Sequence, residues 1–329
     1  MFRRKKKSHV SIEINDYVLR SLVMKGSDLS QAKVMEIAIP EGVIEESDVK
    51  DELTLYELLK KYAPKWGGKN QHVRFLVPDS FILLKSFEHP NDIEATKLRE
   101  YAEMEIGYSI HLPFEEPLID VFDPEEGDGK AMLFAASSEQ VNKYIHLFLD
   151  ISMHPEAADV RALCNLRLLE SLNLLNEQKT YLLTNWLLNE LSITIYSKGN
   201  VEFQRFQPID TDLSRWKAEE VGEHQLDFSY YGEFEDYRML ISDQVLELDR
   251  IMNFFRFSLN KGEKGVDEII VMGDNPYLDE IHSFLQQSFD LPMQLINDSF
   301  IQQYYPELKA KHASLMGLAL KEVNHDPRY

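Results

Sequence analysis

The sequence predicts an α/β protein made of two similar lobes that face each other across a cleft. The chain has 329 residues, 44% of them hydrophobic, which is enough for two full cores. Each half opens with a strand, a tight turn and a second strand, and then continues to a helix and a further strand. Between the halves, from about residue 87 to 154, a β/α pattern of different order predicts an inserted subdomain.

The first half begins with the alternating residues typical of strands. Val10–Ile14 and Leu19–Met24 predict a hairpin, and Lys33–Ile39 predicts a third strand. A helix is expected from Asp51, as its cap, to Tyr62. The stretch VRFLVPDSFILLKSF then predicts a second hairpin with its turn at residues 78–80.

In the insert, a helix from Asp92 to about Gly107 is followed by the extended stretch IHLPFEEPLIDVF and the strand AMLFAAS. Ser137 is expected to cap the next helix through a capping box with Gln140. The predicted units are a basic segment 1–9, a first lobe 10–86 plus 155–177, the insert 87–154, a second lobe 178–322 and a polar tail 323–329.

The second half repeats the opening pattern near Gln178, with strands joined by a turn at 197–200. An acidic stretch to about Arg238 is expected to be rich in loops. A long helix follows, with apolar residues three and four apart, and DEIIVMGDN then predicts a buried strand that ends in a glycine turn. Tyr277–Phe289 and HASLMGLALKEV are expected to be helical.

Composition excludes several classes of function. The net charge of −21 argues against a nucleic-acid binder. The single cysteine, Cys164, indicates a reducing compartment and therefore a cytoplasmic location. The histidines are scattered, so no zinc site of the usual spacing is expected, and no apolar run is long enough to span a bilayer.

A basic run near the start contrasts with this acidic background; it consists of Arg3, Arg4, Lys5, Lys6 and Lys7. One interpretation is a solvated terminus. The other is attraction to an anionic membrane surface, worth about 1 kcal/mol per basic residue. Such attraction holds a protein at a membrane only when a second contact helps.

Four stretches, in this order, carry a family resemblance: EMEIGYSIHLPFEEPLIDVF, MLFAASSEQVNKYIHLFLDISMHPEAADV, LELDRIMNFFRFS and HASLMGLALKE. Through them the chain resembles the PilM family of type IV pilus assembly proteins, which is similar to the cell-division protein FtsA. The resemblance implies a two-lobed actin-like ATPase fold of duplicated ribonuclease-H-like halves, with an inserted FtsA/PilM-type subdomain.

The resemblance also implies positions for a nucleotide. On the first phosphate loop, Glu13 falls at the usual Asp, Asn15 at the usual Gly and Arg20 where Lys is frequent, with Asp16 next in the turn. Asn15 tolerates a left-handed backbone, but its side chain crowds a phosphate.

The second phosphate loop aligns at Leu183 or Thr184, followed by Asn185, and it has no carboxylate. Glu190, further along, is expected to be a solvated strand residue. At the adenosine turn Gly273 is kept, while Asp274 replaces a second glycine. Glu247 and Arg250 fall where they could reach adenine or ribose; the alternative is a polar face on an amphipathic helix.

Hydrolysis needs a metal, an oriented water and phosphate donors together, so these departures predict a pseudo-ATPase, not an enzyme. No cofactor is assigned, and ATP with magnesium is left as the alternative. The alternatives are a nucleotide-binding actin-like switch and an FtsA-like filament-former, although the polar tail VNHDPRY argues against the latter.

The family also implies a partner. PilM binds the cytoplasmic N-terminal tail of the membrane protein PilN through a groove of the first lobe and its insert. Carried over, this implicates Tyr108, Leu112, Pro113 and Phe114, for which hinge and core packing is the alternative. The expected function is a scaffold of the pilus assembly platform, peripheral at the inner face of the cytoplasmic membrane.

Overall fold

A computed structural model of the chain describes residues 8–67, 69–125 and 127–323. The basic run at 3–7 and most of the polar tail lie outside the described residues. The first lobe starts with strands, a short hairpin and one helix: β1 (His9–Ile14), β2 (Val18–Met24), β3 (Lys33–Ala38), β4 (Ile44–Glu45), β5 (Asp48–Val49), α1 (Glu52–Tyr62) and β6 (His72–Val77). Asp51 caps α1 through the backbone N–H of Thr54, as expected.

The insert is a small antiparallel sheet covered on one side by a helix. It comprises β7 (Ile82–Glu88), α2 (Leu98–Glu105), β8 (Pro117–Phe122) and β9 (Lys130–Ser137), with the strand order β7-β9-β8. The chain then returns to the first lobe through α3 (Ser138–Asp150), β10 (His154–Val160) and α4 (Arg161–Ser171). Sequence reasoning assigned α3 to the insert, but Val141, Tyr144 and Phe148 pack in the first-lobe core.

The second lobe follows the same plan. Its elements are β11 (Thr180–Trp186), β12 (Glu190–Ser197), β13 (Asn200–Pro208), β14 (Trp216–Gly222), β15 (Gln225–Tyr230), α5 (Phe234–Asn253), β16 (Glu268–Gly273), α6 (Leu278–Ser288), β17 (Met293–Leu295), α7 (Asp298–Gln302) and α8 (Ala313–Leu320). A π-helical turn, Phe254–Leu259, continues α5. Among the described residues, no helix combines the length and the apolar character needed to cross a bilayer.

The two main sheets share one topology. Their strand orders are β3-β2-β1-β6-β10 and β13-β12-β11-β16-β17. In each sheet the first strand pairs antiparallel with the second and parallel with a strand that comes later in the chain. The prediction of two similar lobes is confirmed.

Two predictions of local structure were wrong. The stretch around residues 78–80 is not a hairpin, because the strands on either side of it do not pair with each other. β6 pairs with β1 and β10 in the first-lobe sheet, whereas β7 pairs with β9 in the insert sheet. The acidic stretch before α5 is not a loop, because β14 and β15 form a hairpin. Trp216, Leu226 and Phe228 turn inward there, and the charged residues between them obscure the alternation in the sequence.

Two helices, α4 and α8, join the lobes. Their apolar side chains share one core with β2 and β6 of the first lobe and with β11 and β16 of the second. The helices cross so closely that a Cβ on Gly317 would lie 1.8 Å from the carbonyl oxygen of Cys164. The glycine in the closing helix is therefore required by packing.

Candidate functional site

The turns of the two equivalent hairpins meet at the cleft between the lobes. Asn189, in the β11–β12 turn, donates its side-chain N–H to Asp16 Oδ2 in the β1–β2 turn at 2.9 Å. The other oxygen of Asp16 accepts the backbone N–H of Ser47 at 2.9 Å. The Tyr17 hydroxyl donates to Asp274 Oδ2 at 2.7 Å and accepts from the Leu188 backbone N–H at 3.4 Å. The side chains of the two turns therefore bind each other directly.

Strand register identifies the counterpart of Glu13 in the second lobe. Glu13 lies opposite Arg20 across β1 and β2, and Asn185 lies opposite Ser192 at the same place across β11 and β12. The counterpart is thus Asn185, one or two residues beyond the position assigned from the sequence. Its side-chain oxygen accepts from Asn165 at 3.2 Å, so an amide stands where a carboxylate would bind a metal.

Arg161, the first residue of α4, lies at the centre of the site with its side chain 2% exposed. Its Nε donates to Asp79 Oδ2 at 2.7 Å, and its Nη1 donates to Glu13. Its Nη2 donates to Asn15 Oδ1 at 3.3 Å and lies 3.6 Å from Glu190 Oε1. One guanidinium therefore holds groups from both lobes.

Sequence reasoning missed Arg161 and Asp79, and it was wrong to expect Glu190 in solvent. Glu190 is buried because β12 begins inside the cleft rather than at the lobe surface. A signal was present in α4, where Arg161, Asn165 and Leu168 occupy one buried face. Polar residues on the buried face of an apolar helix indicate a polar site.

Arg20 forms a second ion network beside the first. Its Nε donates to Glu36 Oε1 at 2.9 Å, and its Nη1 lies 2.6 Å from Asp274 Oδ2 and 3.8 Å from Glu13 Oε2. Glu36 also lies 2.8 Å from the ammonium of Lys311. Glu13 thus connects the two guanidinium groups.

The carboxyl groups outnumber the cations here, and burial raises the pKa of several of them. Burial raises the pKa of Glu190 to about 8. Arg161 opposes this rise only in part, because it makes its closer contacts with Glu13 and Asp79. Burial also raises the pKa of Asp16 and of Asp274. Burial alone would lower the pKa of Arg161, but the adjacent carboxylates raise it above its usual value.

These residues do not fit a magnesium-bound triphosphate. Glu13 Oε1 accepts from Arg161, and the backbone N–H of Asn15 donates to the Val18 carbonyl at 2.9 Å. Asp16 is engaged by Ser47 and Asn189. Within the described ranges, no group of three or more His, Cys, Asp or Glu residues is arranged to hold a metal ion. A guanidinium takes the place of a bound cation.

A cavity of about 460 Å³ lies beside Gly273 and Asp274, at the turn that the family resemblance assigns to adenosine. Its lining includes Asp227, Gly273, Asp274, Asp279 and Asp298. Gly273 has a φ of +136°, and a Cβ there would lie 1.9 Å from the carbonyl oxygen of Trp186. Strand packing therefore accounts for this glycine without any ligand.

The structure brings together most, but not all, of the residues predicted to bind nucleotide. Those that converge at the cleft are Glu13, Asn15, Asp16, Arg20, Asn185, Gly273 and Asp274. Glu247 and Arg250 do not join them. Glu247 accepts from Arg250 at 3.2 Å and lies 3.1 Å from Arg205, on the face of α5 directed toward β13.

The predicted partner residues lie at the outer end of the insert. Tyr108 is 81% exposed in the turn after α2 and Pro113 is exposed, while Leu112 and Phe114 pack against the insert core. A groove lies elsewhere, where the insert sheet faces α4, and it contains adjoining cavities of about 330 and 250 Å³. The cavities share Asp120, Phe134 and Leu163, and Leu118 lines the smaller one.

No protein-family model matches the sequence, and no curated protein matches it. Solved structures do. A chain of a PilM–PilN type IV pilus biogenesis complex is 17% identical, with 96% of this chain and 98% of that chain covered and a TM-score of 0.75. The ethanolamine utilization protein EutJ from Carboxydothermus hydrogenoformans is 8% identical, with 96% and 90% covered and a TM-score of 0.51.

MreB5 of Spiroplasma citri, bound to ADP, is 8% identical, with 95% of each chain covered and a TM-score of 0.50. A protein from Bacteroides thetaiotaomicron described as having an actin-like ATPase fold is 9% identical, with 97% of each chain covered and a TM-score of 0.50. The actin-like fold is therefore confirmed, and the resemblance to PilM is confirmed at the level of the fold.

Proposed function

We propose that this chain is a scaffold of a type IV pilus or related assembly machine, which binds the cytoplasmic tail of a PilN-like membrane protein and does not hydrolyse ATP. The observation that carries the proposal is the likeness to a chain of a PilM–PilN complex, with a TM-score of 0.75 over 96% of this chain. ADP-bound MreB5 reaches only 0.50 over a similar length.

The contact between the two hairpin turns supports the absence of hydrolysis. A phosphoryl-transfer site keeps backbone donors and a metal free to surround the reacting phosphate. Here Asp16 binds Asn189 across the cleft, and Arg161 binds Glu13. The groups that would surround a phosphate bind one another, so we expect closed lobes without a nucleotide.

The groove beneath the insert supports binding of an extended peptide. β8 is the last strand of its sheet, and its outer edge pairs with no other described strand. An extended tail can add to such an edge while its apolar side chains enter the groove at Leu118 and Phe134. Cytoplasmic segments next to membrane spans are rich in Lys and Arg, which suits a protein with a net charge of −21.

Peptide binding to purified full-length protein tests the partner proposal. The probe is the fluorescein-labelled cytoplasmic tail of a PilN-like protein from the same genome, followed by fluorescence anisotropy. Leu118→Asp puts a charge in the groove and is expected to weaken binding about tenfold or more. Tyr108→Ala is the matched control at another exposed apolar residue of the insert. Equal loss in both variants, or loss only in Tyr108→Ala, would contradict a site at the groove.

Titration calorimetry with ATP and magnesium tests the other half of the proposal. No heat of binding is expected at millimolar ATP. Micromolar binding would favour the second candidate, a nucleotide-dependent switch, which the cavity beside Gly273 suggests. The lining of that cavity contains four carboxyl groups, those of Asp227, Asp274, Asp279 and Asp298, against the two cations Arg20 and Lys311, and this excess of carboxyl groups disfavours a triphosphate.

A further inference from the structure

Exposed apolar side chains form a patch on the second lobe, far along α5 and its π-helical turn. Leu246, Phe254, Phe257 and Leu259 are between 46% and 59% exposed. Leu246, Arg250, Phe254 and Phe257 follow one another at intervals of four, four and three residues, so they share one face. The term α5 patch is used below for Leu246, Arg250, Phe254, Phe257 and Leu259. Contiguous exposed apolar groups of this kind mark an interaction surface.

Basic residues accompany the apolar ones. From Arg250 to Lys261 the sequence contains three basic residues and no acidic one, within a chain of net charge −21. Arg250 is 74% exposed, and the Arg256 guanidinium lies 5.2 Å from the centre of the Phe257 ring. Two carboxylates lie beside the patch on the helix: Glu247, which is only 18% exposed and within ion-pair distance of Arg250 and Arg205, and exposed Asp249, which accepts a hydrogen bond from Asn253. Residues 246–261 thus carry three basic and two acidic side chains, so the patch keeps a small net positive charge.

The π-helical turn gives the patch its shape. Phe255 is buried, while Phe254 and Phe257 on either side of it point outward. Phe254 is supported by Phe203 of β13, whose ring centre is 6.2 Å away. Single π-helical turns occur often at functional sites.

We propose that the α5 patch contacts the anionic headgroup layer of a bilayer. Aromatic and leucine side chains enter the boundary between headgroups and acyl chains, while Arg and Lys bind lipid phosphates. A second copy of the chain fits less well, because a symmetric contact of this patch with itself would bring the basic side chains of both copies together. Aliphatic Leu246 and Leu259 favour acyl chains over nucleic-acid bases. The acidic surface elsewhere on the chain does not prevent binding to anionic lipid, because charges more than about 10 Å away are screened at physiological salt. The contact rests on the proposed function, because it would supplement the partner's tail at the membrane.

Vesicle co-sedimentation of the full chain tests this proposal. The vesicles are phosphatidylcholine alone or phosphatidylcholine mixed with phosphatidylglycerol. Leu246→Ser combined with Phe257→Ser is expected to lower binding to the mixed vesicles by about tenfold. Arg250→Gln and Arg256→Gln are each expected to lower it by about fivefold, with a weaker dependence on salt.

A matched control separates the patch from general loss of exposed apolar residues. Met104→Ser combined with Tyr108→Ser removes exposed side chains from the insert and is expected to leave vesicle binding unchanged. A second control protein lacks residues 1–7. If it still binds the mixed vesicles, and if this binding is lost when Leu246→Ser and Phe257→Ser are added, the proposal is supported. Melting temperatures show that each variant is folded.

Three outcomes would overturn the proposal. The first is binding of the Leu246, Phe257 double variant equal to that of the original chain. The second is a shift of that variant from dimer to monomer in sedimentation velocity, which would assign the patch to a second copy. The third is equal loss with single-stranded oligonucleotide as the probe. Peptide binding at the insert groove is measured separately, so its failure would affect only the proposed function.

Discussion

Glu190→Gln isolates the protonation state of the carboxyl that lies between the lobes. Burial raises the pKa of Glu190 to about 8 from its ordinary 4.5, against the opposing effect of Arg161. The side chains of Asp16, Asp79 and Glu13 also face it, and their charges oppose its ionisation. A neutral glutamine of the same shape therefore imitates the folded state at neutral pH.

The expected size follows from proton linkage. Between pH 4.5 and 8 the folded chain holds this proton while the unfolded chain has lost it, so the free energy of unfolding falls as pH rises. Each pH unit within this window is worth about 1.4 kcal/mol. From pH 5 to pH 7, Glu190→Gln should gain about 2–3 kcal/mol in stability relative to the original chain.

Urea unfolding of both proteins at pH 5, 6 and 7 measures this difference. The comparison must be differential because burial lowers the pKa of His312, which gives both proteins a rise in stability over part of this range. Glu36→Gln serves as the comparison variant, because Glu36 is also buried but its pKa is shifted in the opposite direction. Although burial opposes it, contacts with His312, Arg20 and Lys311 hold the pKa of Glu36 well below its ordinary value. Because Glu36 also raises the pKa of His312, its removal changes the His312 titration, so the stability difference for Glu36→Gln should be constant only above about pH 6.5, the ordinary pKa of histidine.

A difference between Glu190→Gln and the original chain that does not change with pH would refute this reasoning. It would mean that Glu190 is ionised throughout and that Arg161 balances all of its neighbours. A loss of several kcal/mol at pH 7 would lead to the same conclusion, because it would measure a working ion pair.

Three further predictions concern the contacts that hold the lobes together. Arg161→Ala leaves Asp79 without a cation and Glu13 with only the 3.8 Å contact to Arg20, and it should cost about 3–5 kcal/mol in urea unfolding; a cost below about 1 kcal/mol would show that the network is not needed. Asn189→Asp places a carboxylate against Asp16 and should speed hydrogen exchange at both turns, whereas Asn189→Gln should change it less. Gly317→Ala, which would stabilise an exposed helix by about 1 kcal/mol, should instead lower the stability by about 2 kcal/mol or more, because α8 must move from Cys164; unchanged melting would refute the close crossing.

Hydrophobic periodicity was sufficient to predict the strands, most helices and the repetition of the halves. It did not predict strand partners, because alternation identifies a strand without saying which strand lies beside it. The stretch around residue 79 illustrates this point. Both of its strands were recognised, but β6 is a central parallel strand and β7 belongs to another sheet. The pairing depends on β10, which lies more than 70 residues further along the chain.

The candidate site was predicted in part for a similar reason. Glu13, Asn15, Asp16, Arg20 and Asp274 could be selected through the family resemblance, and they do converge. Arg161, which lies between them, could not be selected in this way. Arg161 is 148 positions from Glu13, and only the packing of α4 between the lobes brings the two together. Arg250 shows the reverse error, because helical spacing alone does not say which face of α5 meets the cleft.

The position of α8 has a consequence for biosynthesis. This helix comes at the end of the second lobe, yet it packs on β1 and β2 of the first lobe, which leave the ribosome before it. Until it is made, Leu22 and Leu76 of the first lobe lack part of the cover that Leu315 and Leu318 provide. The amino-terminal lobe therefore keeps part of its apolar surface exposed to solvent until α8 has been synthesised. Nascent chains of this protein should need chaperone protection for that interval, and a premature stop before Ala313 should yield an insoluble product rather than a working half.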